Sequence, residues 1–349
     1  MIRIGIAGLG FMGSMHAWGL RGRHTTGGRK VEGGELVAIA SADPRKRAGD
    51  WSGIRGNYGP RGGPEDVAGI RMHASVEGLI ADPGVDLVHV CLPNPLHRPV
   101  TEAALAAGKH VFVEKPIALT LADADAMIAA AHRASRVLCV AHVVPFRAEY
   151  AFAVEAVRSG RFGAPLGGAF KRLLARHDGP PDPARLFTYG GMGLDLHIHD
   201  THFIRMLFGP PREVRSRGTL VGDGLLDYVT TQYAFADPRL VVTSQSGAIS
   251  AAARPFVHGF ELYFERATLA FESGAIPLTV FGADGAVTRP ELPARTDVDS
   301  FTDQVQVVVD MIRSGSDPGP LAAARGRDAL ALCLAEAESV RRGEPVRFA

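Results

Sequence analysis

Residues 2–13 read IRIGIAGLGFMG, and this stretch decides the fold of the first half of the chain. Its opening residues, Arg3–Ala7, form a short apolar run typical of a buried strand, and a segment of helical pattern follows. Three glycines stand between the two at the spacing of a dinucleotide-binding turn: Gly8, Gly10 and Gly13. Glycines there allow a tight turn and the approach of a pyrophosphate, and the helix N-terminus offers free N–H groups to phosphate. The stretch therefore predicts a dinucleotide-binding loop that includes Phe11 and Met12.

The part of the chain before Tyr150 alternates strand-like and helix-like segments. The strand candidates are short runs rich in Val, Ile, Leu and Ala: Arg3–Ala7, Leu36–Ala40, Asp86–Cys91, His110–Val113 and Val137–Ala141. Helical patterns at Leu96–Ala107 and Leu121–Ala134 separate the later strands. Near-continuous apolar strands joined by helices predict a doubly wound parallel sheet, which is a Rossmann domain. Residues 51–73 are rich in glycine and lack periodicity, so we predict a long loop after the second strand.

After Tyr150, helix and strand no longer alternate. Helices are predicted at Glu149–Ser159 and Met192–Phe208. The strand candidates are closely spaced, with turn residues between them: Leu166–Leu174, Val214–Leu220, Tyr228–Phe235, Leu240–Ser246, Gly259–Phe264 and Leu278–Phe281. This pattern predicts an α+β domain built on an open, mostly antiparallel sheet.

The chain of 349 residues is too long for one ordinary core and suits two domains. We predict an α/β Rossmann domain at residues 1–143 and an α+β domain at residues 144–349. The last two predicted helices, 301–314 and 321–342, could pack back on the first domain.

Charge and cysteine content exclude several classes of partner. The 38 Lys and Arg residues nearly balance the 37 Asp and Glu residues, so no charge field recruits nucleic acid or an anionic membrane. A small-molecule partner is expected instead. The three cysteines are far apart, which indicates reduced thiols rather than a disulfide framework: Cys91, Cys139 and Cys333. No signal peptide and no long apolar run is recognised, so we expect a cytoplasmic protein without a membrane span.

The tip of the second strand bears on the choice between NAD and NADP. An acidic residue there binds the adenine ribose hydroxyls of NAD, whereas hydroxyl and basic residues accommodate the 2′-phosphate of NADP. Asp43 is acidic, but Pro44 follows it, so a helix N-cap with proline at N1 explains Asp43 at least as well. Ser41 then stands at the tip, with Arg45 as a candidate phosphate partner. This slightly favours NADP over NAD, although a solvated basic first turn explains Arg45 equally well.

The tripeptide Glu114-Lys115-Pro116 ends the apolar run Val111–Val113. A lysine at the edge of a core can act as a general acid or base, because burial lowers its pKa toward neutrality. A solvated lysine at a strand end is the commoner case. The chemical interpretation of Lys115 therefore depends on finding a partner for it.

The stretch Gly190–His202 contains candidate partners. On a helix, Asp195 and His199 share one face and His202 continues it, whereas His197 points elsewhere. No cysteine or second histidine pair completes a metal shell around this face, so no metal site is predicted. Histidines that form hydrogen bonds within a core are the alternative interpretation.

Together these motifs resemble the family of glucose-fructose oxidoreductase, inositol dehydrogenase and the rhizopine-catabolism oxidoreductases, known as Gfo/Idh/MocA, over nearly the whole chain. Besides the glycine loop, the resemblance rests on LPNPLH at 92–97, AGKHVFVEKP at 107–116 and the stretch 190–202. It implies a Rossmann domain followed by a substrate-binding and oligomerisation domain. The substrate is then expected between the nicotinamide and the face of the second domain's sheet.

Carried onto this sequence, the catalytic positions of the family fall on Lys115, Asp195 and His199. The resemblance implies that His199 exchanges the proton of the substrate hydroxyl and that Lys115 holds or polarises the same oxygen. Asp195 would orient the substrate or the histidine. The resemblance also implies cofactor contacts beside the nicotinamide ribose, from two segments: Leu92, Pro93, Asn94, His97, Glu114 and Lys115.

The resemblance implies an NAD(P)-dependent dehydrogenase that acts on a secondary hydroxyl of a sugar, sugar derivative or cyclic polyol, as a homodimer or homotetramer. Four residues that flank the expected cleft are candidate substrate contacts: Arg172, His177, Tyr189 and His202. Family members often carry an aspartate where this chain has His202, and an arginine in a segment resembling Ala141–Tyr150. Two alternatives stay open: an enzyme that keeps NAD bound and uses transient oxidation for elimination or glycoside cleavage, and a non-catalytic cofactor-binding regulator.

Overall fold

The computed structural model describes residues 1–175, 190–222 and 224–348. The chain divides into two compact units. Unit 1 comprises Met1–Phe146 and Ala294–Arg327, and unit 2 comprises Arg147–Pro293 and Asp328–Ala349. The first crossing between units follows Phe146. The second segment of unit 1 lies within residues 144–349, and it contains a helix from the C-terminal part of the chain.

Unit 1 is built on a six-stranded parallel sheet of order β3-β2-β1-β4-β5-β6. Its strands are β1 (Ile2–Ala7), β2 (Gly34–Ala40), β3 (Arg71–His73), β4 (Leu87–Val90), β5 (His110–Glu114) and β6 (Leu138–Ala141). β1 pairs with β2 on one side and with β4 on the other. The chain therefore builds the sheet first on one side of β1 and then on the other, so the strand order reverses at β1. Open α/β sheets bind ligands at such a switch point, and Gly8 lies at its carboxyl edge.

The helices of unit 1 are α1 (Phe11–Arg21), α2 (Pro44–Arg47), α3 (Val76–Ala81), α4 (His97–Ala106), α5 (Leu121–Ala134) and α8 (Asp297–Ser314). Single 3-10 turns occur at Thr26–Gly28, Asn94–Leu96, Val144–Phe146 and Gly319–Leu321. α8 packs on α1, where Gly19 leaves room for Thr302, and its apolar face, including Phe301, joins the core of unit 1. The Rossmann core therefore includes a helix from the far end of the chain.

Unit 2 is built on a nine-stranded sheet of order β14-β13-β12-β11-β7-β10-β9-β8-β15. Its strands are β7 (Pro165–Ala175), β8 (Glu213–Val221), β9 (Leu225–Ala234), β10 (Val241–Ser250), β11 (Val257–Phe264), β12 (Ala267–Glu272), β13 (Ile276–Gly282), β14 (Val287–Thr288) and β15 (Val346–Arg347). Within the described ranges, β7 and β10 pair in parallel and every other pairing is antiparallel. The sheet is mixed and mostly antiparallel, as predicted.

Three helices accompany this sheet: α6 (Ala148–Ser159), α7 (Met192–Phe208) and α9 (Ala323–Arg342), which enters unit 2 at Asp328. α7 packs on β7, β9 and β10. The sequence analysis did not predict β3, α3, β12, β14 or β15. None of the helices in the described part of the chain has the length and apolar content needed to cross a membrane.

Candidate active site

The glycine loop of unit 1 has the geometry that its sequence predicts. Gly8 has a φ of +97°, and a Cβ there would lie 2.4 Å from the Cys91 carbonyl oxygen, so only glycine fits. Gly13 lies so close to the Gly8 carbonyl that a Cβ would come within 2.1 Å of its oxygen. Around Gly10, in contrast, a Cβ would meet no atom within 4 Å. The open side of the loop is therefore at Gly10, where the motif expects a pyrophosphate.

The tip of β2 is organised around Asp43, which caps α2. Its carboxylate accepts a hydrogen bond from the Arg45 backbone N–H at 2.9 Å, and this hydrogen bond lowers the pKa of Asp43. The Ser41 hydroxyl accepts from the Asp43 N–H at 3.3 Å, and Ser41 directly follows the strand. The N-cap interpretation of Asp43 is confirmed.

Lys46 is a functional candidate that the sequence analysis missed. Its Nζ donates to the Leu9 carbonyl oxygen at 2.8 Å, which fixes an ammonium group on the glycine loop. The side chain of Arg45, which the sequence favoured as a phosphate partner, is 79% exposed and lies 3.7 Å from Asp43. The basic run 45–47 indicated a cation near the glycine loop. The run alone does not predict which of its three side chains turns toward the loop.

The second loop of the site, residues 92–97, is tied to the Lys115–Pro116 turn by a buried histidine. The two ring nitrogens of His97 lie 2.9 Å from the Pro116 and Leu92 carbonyl oxygens. Burial lowers the pKa of His97, so one nitrogen donates while the ring is neutral. Asn94 is also buried, and its Nδ2 has no hydrogen-bond partner among the described residues. His97 therefore donates to one of the two carbonyl oxygens and packs against the other, whereas Asn94 keeps a donor available.

Glu114 lies at the end of β5 and is held by a histidine of α1. His16 Nε2 is 2.9 Å from a Glu114 carboxylate oxygen, and His16 Nδ1 is 3.1 Å from the Nδ1 of His89. Burial, with His16 nearby, lowers the pKa of His89 well below its usual range, so His89 is neutral. Cys91 completes a group whose possible metal-ligand atoms lie within 4.8 Å of one another: His16, Cys91 and Glu114. Burial and the Glu114 carboxylate raise the pKa of the Cys91 thiol well above its usual range, so the thiol is protonated.

In unit 2, α7 presents one narrow accessible face. From Met192 to Ile204, Asp195 and His199 are partly exposed and every other helix residue is buried. The start of the helix lies close to β9. A Cβ at position 193 would be 2.3 Å from the Leu226 Cβ, so glycine is needed there. The predicted pair therefore shares one face and is accessible, as the helical spacing indicates.

Two buried ion pairs fix the other faces of α7. Arg172 on β7 donates to both carboxylate oxygens of Asp200, at 2.8 and 3.1 Å, and Ser246 on β10 donates to the same carboxylate at 3.2 Å. On the other side, His197 Nε2 lies 2.8 Å from Glu336 on α9. Burial alone would lower the pKa of His197, but the Glu336 carboxylate outweighs burial and raises it. These pairs hold α7 to the sheet and to α9.

Of the four predicted substrate contacts, two are buried and two lie outside the described residues. Arg172 is 3% exposed and its guanidinium binds Asp200, so its side chain is part of the packing of α7 rather than of an accessible surface. His202, on the predicted face, is likewise 3% exposed. His177 and Tyr189 lie outside the described residues. Lys115, at the carboxyl edge of the unit 1 sheet, is partly exposed, and it belongs to a different unit from Asp195 and His199.

A Rossmann unit with an open glycine loop, joined to a mixed-sheet unit with an accessible Asp–His pair, defines the class of two-domain nicotinamide-dependent oxidoreductases. A family model described as an oxidoreductase family with an NAD-binding Rossmann fold matches residues 2–142. A model of the GFO/IDH/MocA C-terminal domain matches residues 150–270. The chain belongs to the Gfo/Idh/MocA family of oxidoreductases.

Curated and solved relatives agree with this assignment. The chain is 26% identical to myo-inositol 2-dehydrogenase of Thermotoga maritima, over 99% of this chain and 98% of that protein. It is 34% identical to 1,5-anhydro-D-fructose reductase of Ensifer adhaerens, over 55% of this chain and 56% of that protein. The fold matches aldose-aldose oxidoreductase from Caulobacter crescentus, with a TM-score of 0.78 at 23% identity over 99% of each chain. It also matches an Agrobacterium radiobacter oxidoreductase in complex with NAD+, L-tartaric acid and magnesium, with a TM-score of 0.75 at 21% identity over 99% and 98% of the chains.

Proposed function

We propose that the protein is an NAD(P)-dependent dehydrogenase that transfers a hydride between the nicotinamide and a secondary hydroxyl of a sugar, sugar derivative or cyclic polyol. The observation that carries the proposal is the accessible face of α7, where Asp195 and His199 alone are partly exposed in an otherwise buried stretch from 192 to 204. Relatives named for myo-inositol, 1,5-anhydro-D-fructose and D-apiose support this class of substrate.

The residues of unit 1 suit a bound nicotinamide dinucleotide. The open side of the loop at Gly10 leaves room for a pyrophosphate, and the N–H groups of Phe11 and Met12 begin α1 beside it. Asn94 retains a buried amide donor, and Glu114 is held by His16 at one carboxylate oxygen. We propose that the side chains of Asn94 and Glu114 bind the nicotinamide ribose. When bound, the nicotinamide supplies a hydride acceptor or donor.

The catalytic side chains have separate tasks in this proposal. His199 takes the proton of the substrate hydroxyl in oxidation and returns it in reduction. The Lys115 ammonium stabilises the negative charge that develops on the same oxygen. Asp195 orients the substrate or the imidazole from one turn away on α7. Arg172 and Asp200 keep α7 in place and do not touch the substrate.

We propose NADP as the preferred cofactor. The Asp43 carboxylate caps α2, so it is engaged by backbone rather than offered to ribose hydroxyls. Ser41 stands at the strand tip instead, and Lys46 places an ammonium on the glycine loop. A hydroxyl and a cation at these positions suit a 2′-phosphate. We propose Lys46, rather than Arg45, as the principal phosphate partner.

Self-association through unit 2 completes the proposal. Val241, Tyr263 and Phe281 are exposed by 55%, 38% and 42%, respectively. Strand register places them in one row across the sheet, because Val241 and Tyr263 both pair with Gly167, while Tyr263 and Phe281 both pair with Thr268. Exposed apolar rows of this kind favour association with a second copy. We propose a homodimer or homotetramer, and the free thiols agree with a cytoplasmic location.

The proposal is tested by a screen of polyols and aldoses with NAD and with NADP, following the absorbance of the reduced cofactor. We expect reduction with at least one cyclic polyol or aldose, and faster with NADP. Sugar products that form without net cofactor reduction would identify the transient-oxidation alternative. Cofactor binding without any turnover would identify the regulator.

A further inference from the structure

The segment between α2 and β3 is a closed loop with its own internal packing. Backbone hydrogen bonds join Glu65 to Gly49, Trp51 to Gly63 and Gly62 to Ile54. The side chains of Trp51 and Ile54 are buried. We call residues 49–65 the closed loop. The sequence predicted a long loop here, and its function is not covered by the family motifs.

The tip of the closed loop packs on the first residue of α1. Tyr58 meets Phe11 edge to face, with ring centroids 5.3 Å apart. Gly56 lies directly on the same ring, because a Cβ there would come within 2.1 Å of Phe11 Cε2. Phe11 follows Gly10, which marks the open side of the glycine loop. The tip is therefore placed at the border of the pyrophosphate site.

The base of the closed loop is anchored next to the other end of the cofactor site. Trp51 Nε1 donates to the Lys46 carbonyl oxygen at 3.1 Å, and Lys46 in turn binds the glycine loop. Glu65 is buried and accepts from Trp18 Nε1 on α1 at 2.8 Å. The closed loop thus contacts both Phe11 and Lys46. Between these residues the pyrophosphate and the adenine ribose are expected.

Arg55 gives the tip a cation. It precedes Gly56, its side chain is exposed, and it forms no ion pair or hydrogen bond among the residues that the structure describes. We propose that the closed loop is a wall of the cofactor site, docked on Phe11 through Gly56 and Tyr58, and that Arg55 binds the cofactor phosphates from it. This inference rests on the proposed function, because it assumes that unit 1 binds a nicotinamide dinucleotide.

Glycine substitutions within the closed loop test the docking. In Gly56→Ala the new methyl group collides with the Phe11 ring, so either the ring or the tip must move. Gly53→Ala is the matched control, because a Cβ at Gly53 meets no atom within 4 Å. We expect Gly56→Ala to raise the Kd for NADPH about tenfold, a loss of about 1.4 kcal/mol. Gly53→Ala should stay within about twofold of the wild type.

Charge substitutions test the role of Arg55 separately. Arg55→Gln should raise the Kd for NADPH about tenfold, as expected for a lost charge-assisted hydrogen bond. It should also weaken the salt dependence of binding. Arg61→Gln is the control, since Arg61 is exposed but precedes Gly62, which packs on Trp51 rather than on Phe11.

Binding is measured by the fluorescence of NADPH and of NADH without substrate, and thermal unfolding reports whether each variant is folded. If the wild type binds neither dinucleotide, the proposed function itself fails. If the wild type binds but Gly56→Ala matches Gly53→Ala, and Arg55→Gln matches Arg61→Gln, the closed loop is not a wall of the site and the inference is overturned.

Discussion

At the scale of single residues, position in the fold separates side chains that look equivalent in the sequence. Arg45, Lys46 and Arg47 are consecutive cations, yet Lys46 turns to the glycine loop, whereas Arg47 donates to the Ser41 carbonyl oxygen at 2.7 Å. The helical turn that Asp43 caps sets these directions. Sequence alone predicts the cap, because Asp-Pro is a strong N-cap signal, but not the direction of each long side chain.

Lys46 gives a prediction about cofactor choice. In Lys46→Met the ammonium beside the expected 2′-phosphate is lost, while most of the length of the side chain is kept. We expect the KM for NADP to rise about tenfold, with a much smaller change for NAD. Steady-state kinetics with both cofactors check this. Arg45→Gln is the control and should change neither value much, because the Arg45 guanidinium lies against Asp43 rather than against the glycine loop. An equal rise in KM for NAD and for NADP would show that Lys46 does not bind the 2′-phosphate.

His197 gives a prediction about pH. Its pKa in the folded protein is raised above 6.5 by Glu336, despite burial, so its ion pair stabilises the folded state fully below pH 6.5. That contribution is lost as the pH rises through the folded-state pKa. His197→Gln should therefore lower the free energy of unfolding more at pH 6 than at pH 9. Urea unfolding at several pH values measures this difference. The exposed residue His132 supplies a control, His132→Gln, and a pH-independent effect of His197→Gln would contradict the assignment.

At the scale of elements, α7 is positioned by side chains that face away from the site. Arg172 binds it from β7 and Glu336 from α9, while Asp195 and His199 take the remaining face. The sequence predicted the shared face, because helical periodicity fixes which residues are neighbours. It could not predict that Arg172, a candidate substrate contact, is buried against Asp200, because the fold brings these two residues together from positions far apart in the sequence.

The Arg172–Asp200 pair predicts a specific pattern of stability. Arg172→Met leaves the Asp200 carboxylate buried without its counter-ion and should lower the free energy of unfolding by about 3 to 5 kcal/mol. The double variant Arg172→Met with Asp200→Leu should recover much of that loss, because no buried charge remains. Urea unfolding of the three proteins checks this. If the single variant unfolds like the wild type but loses substrate affinity, Arg172 is a substrate contact after all.

The elements that the sequence missed are short or lack periodicity. β3 has three residues and follows the closed loop, so no alternation precedes it. β12 runs ATLAFE from Ala267 to Glu272 and is buried at most positions, which removes the alternation of a half-exposed strand. In contrast, β1, β4, β5 and β6 are mainly apolar and were predicted, because a parallel strand buried on both faces leaves a nearly continuous apolar run. The closed loop was recognised only as a loop, since its order depends on packing against α1.

At the scale of the whole molecule, the chain returns to unit 1 after building all of the unit 2 sheet except β15. α8 contributes Phe301, Val305 and Val308 to the core of unit 1. Chain length predicted two domains, because 349 residues are too many for one ordinary core, and the end of the chain could be recognised as helical. The core that those helices join is set by contacts between residues far apart in the sequence. The local pattern of apolar residues does not predict such contacts.

The exposed row on unit 2 predicts the oligomeric state. Phe281→Asp and Tyr263→Asp place charges within the apolar row and should convert a dimer or tetramer to a monomer without unfolding it. Light scattering after gel filtration measures the mass. Ala122→Asp, on an exposed position of α5, is the control and should leave the mass unchanged. A wild type that is monomeric at all concentrations would remove this part of the proposal.

The most direct test of the central claim is the rate of cofactor reduction by Lys115→Met and His199→Ala, measured with a substrate found in the screen and beside the Kd for the cofactor. We expect both variants to lose about 10²- to 10⁴-fold in kcat, because the proton acceptor or the stabilising cation is missing, and His199→Ala to bind the cofactor like the wild type. Turnover equal to that of the wild type in both variants would contradict the proposed mechanism.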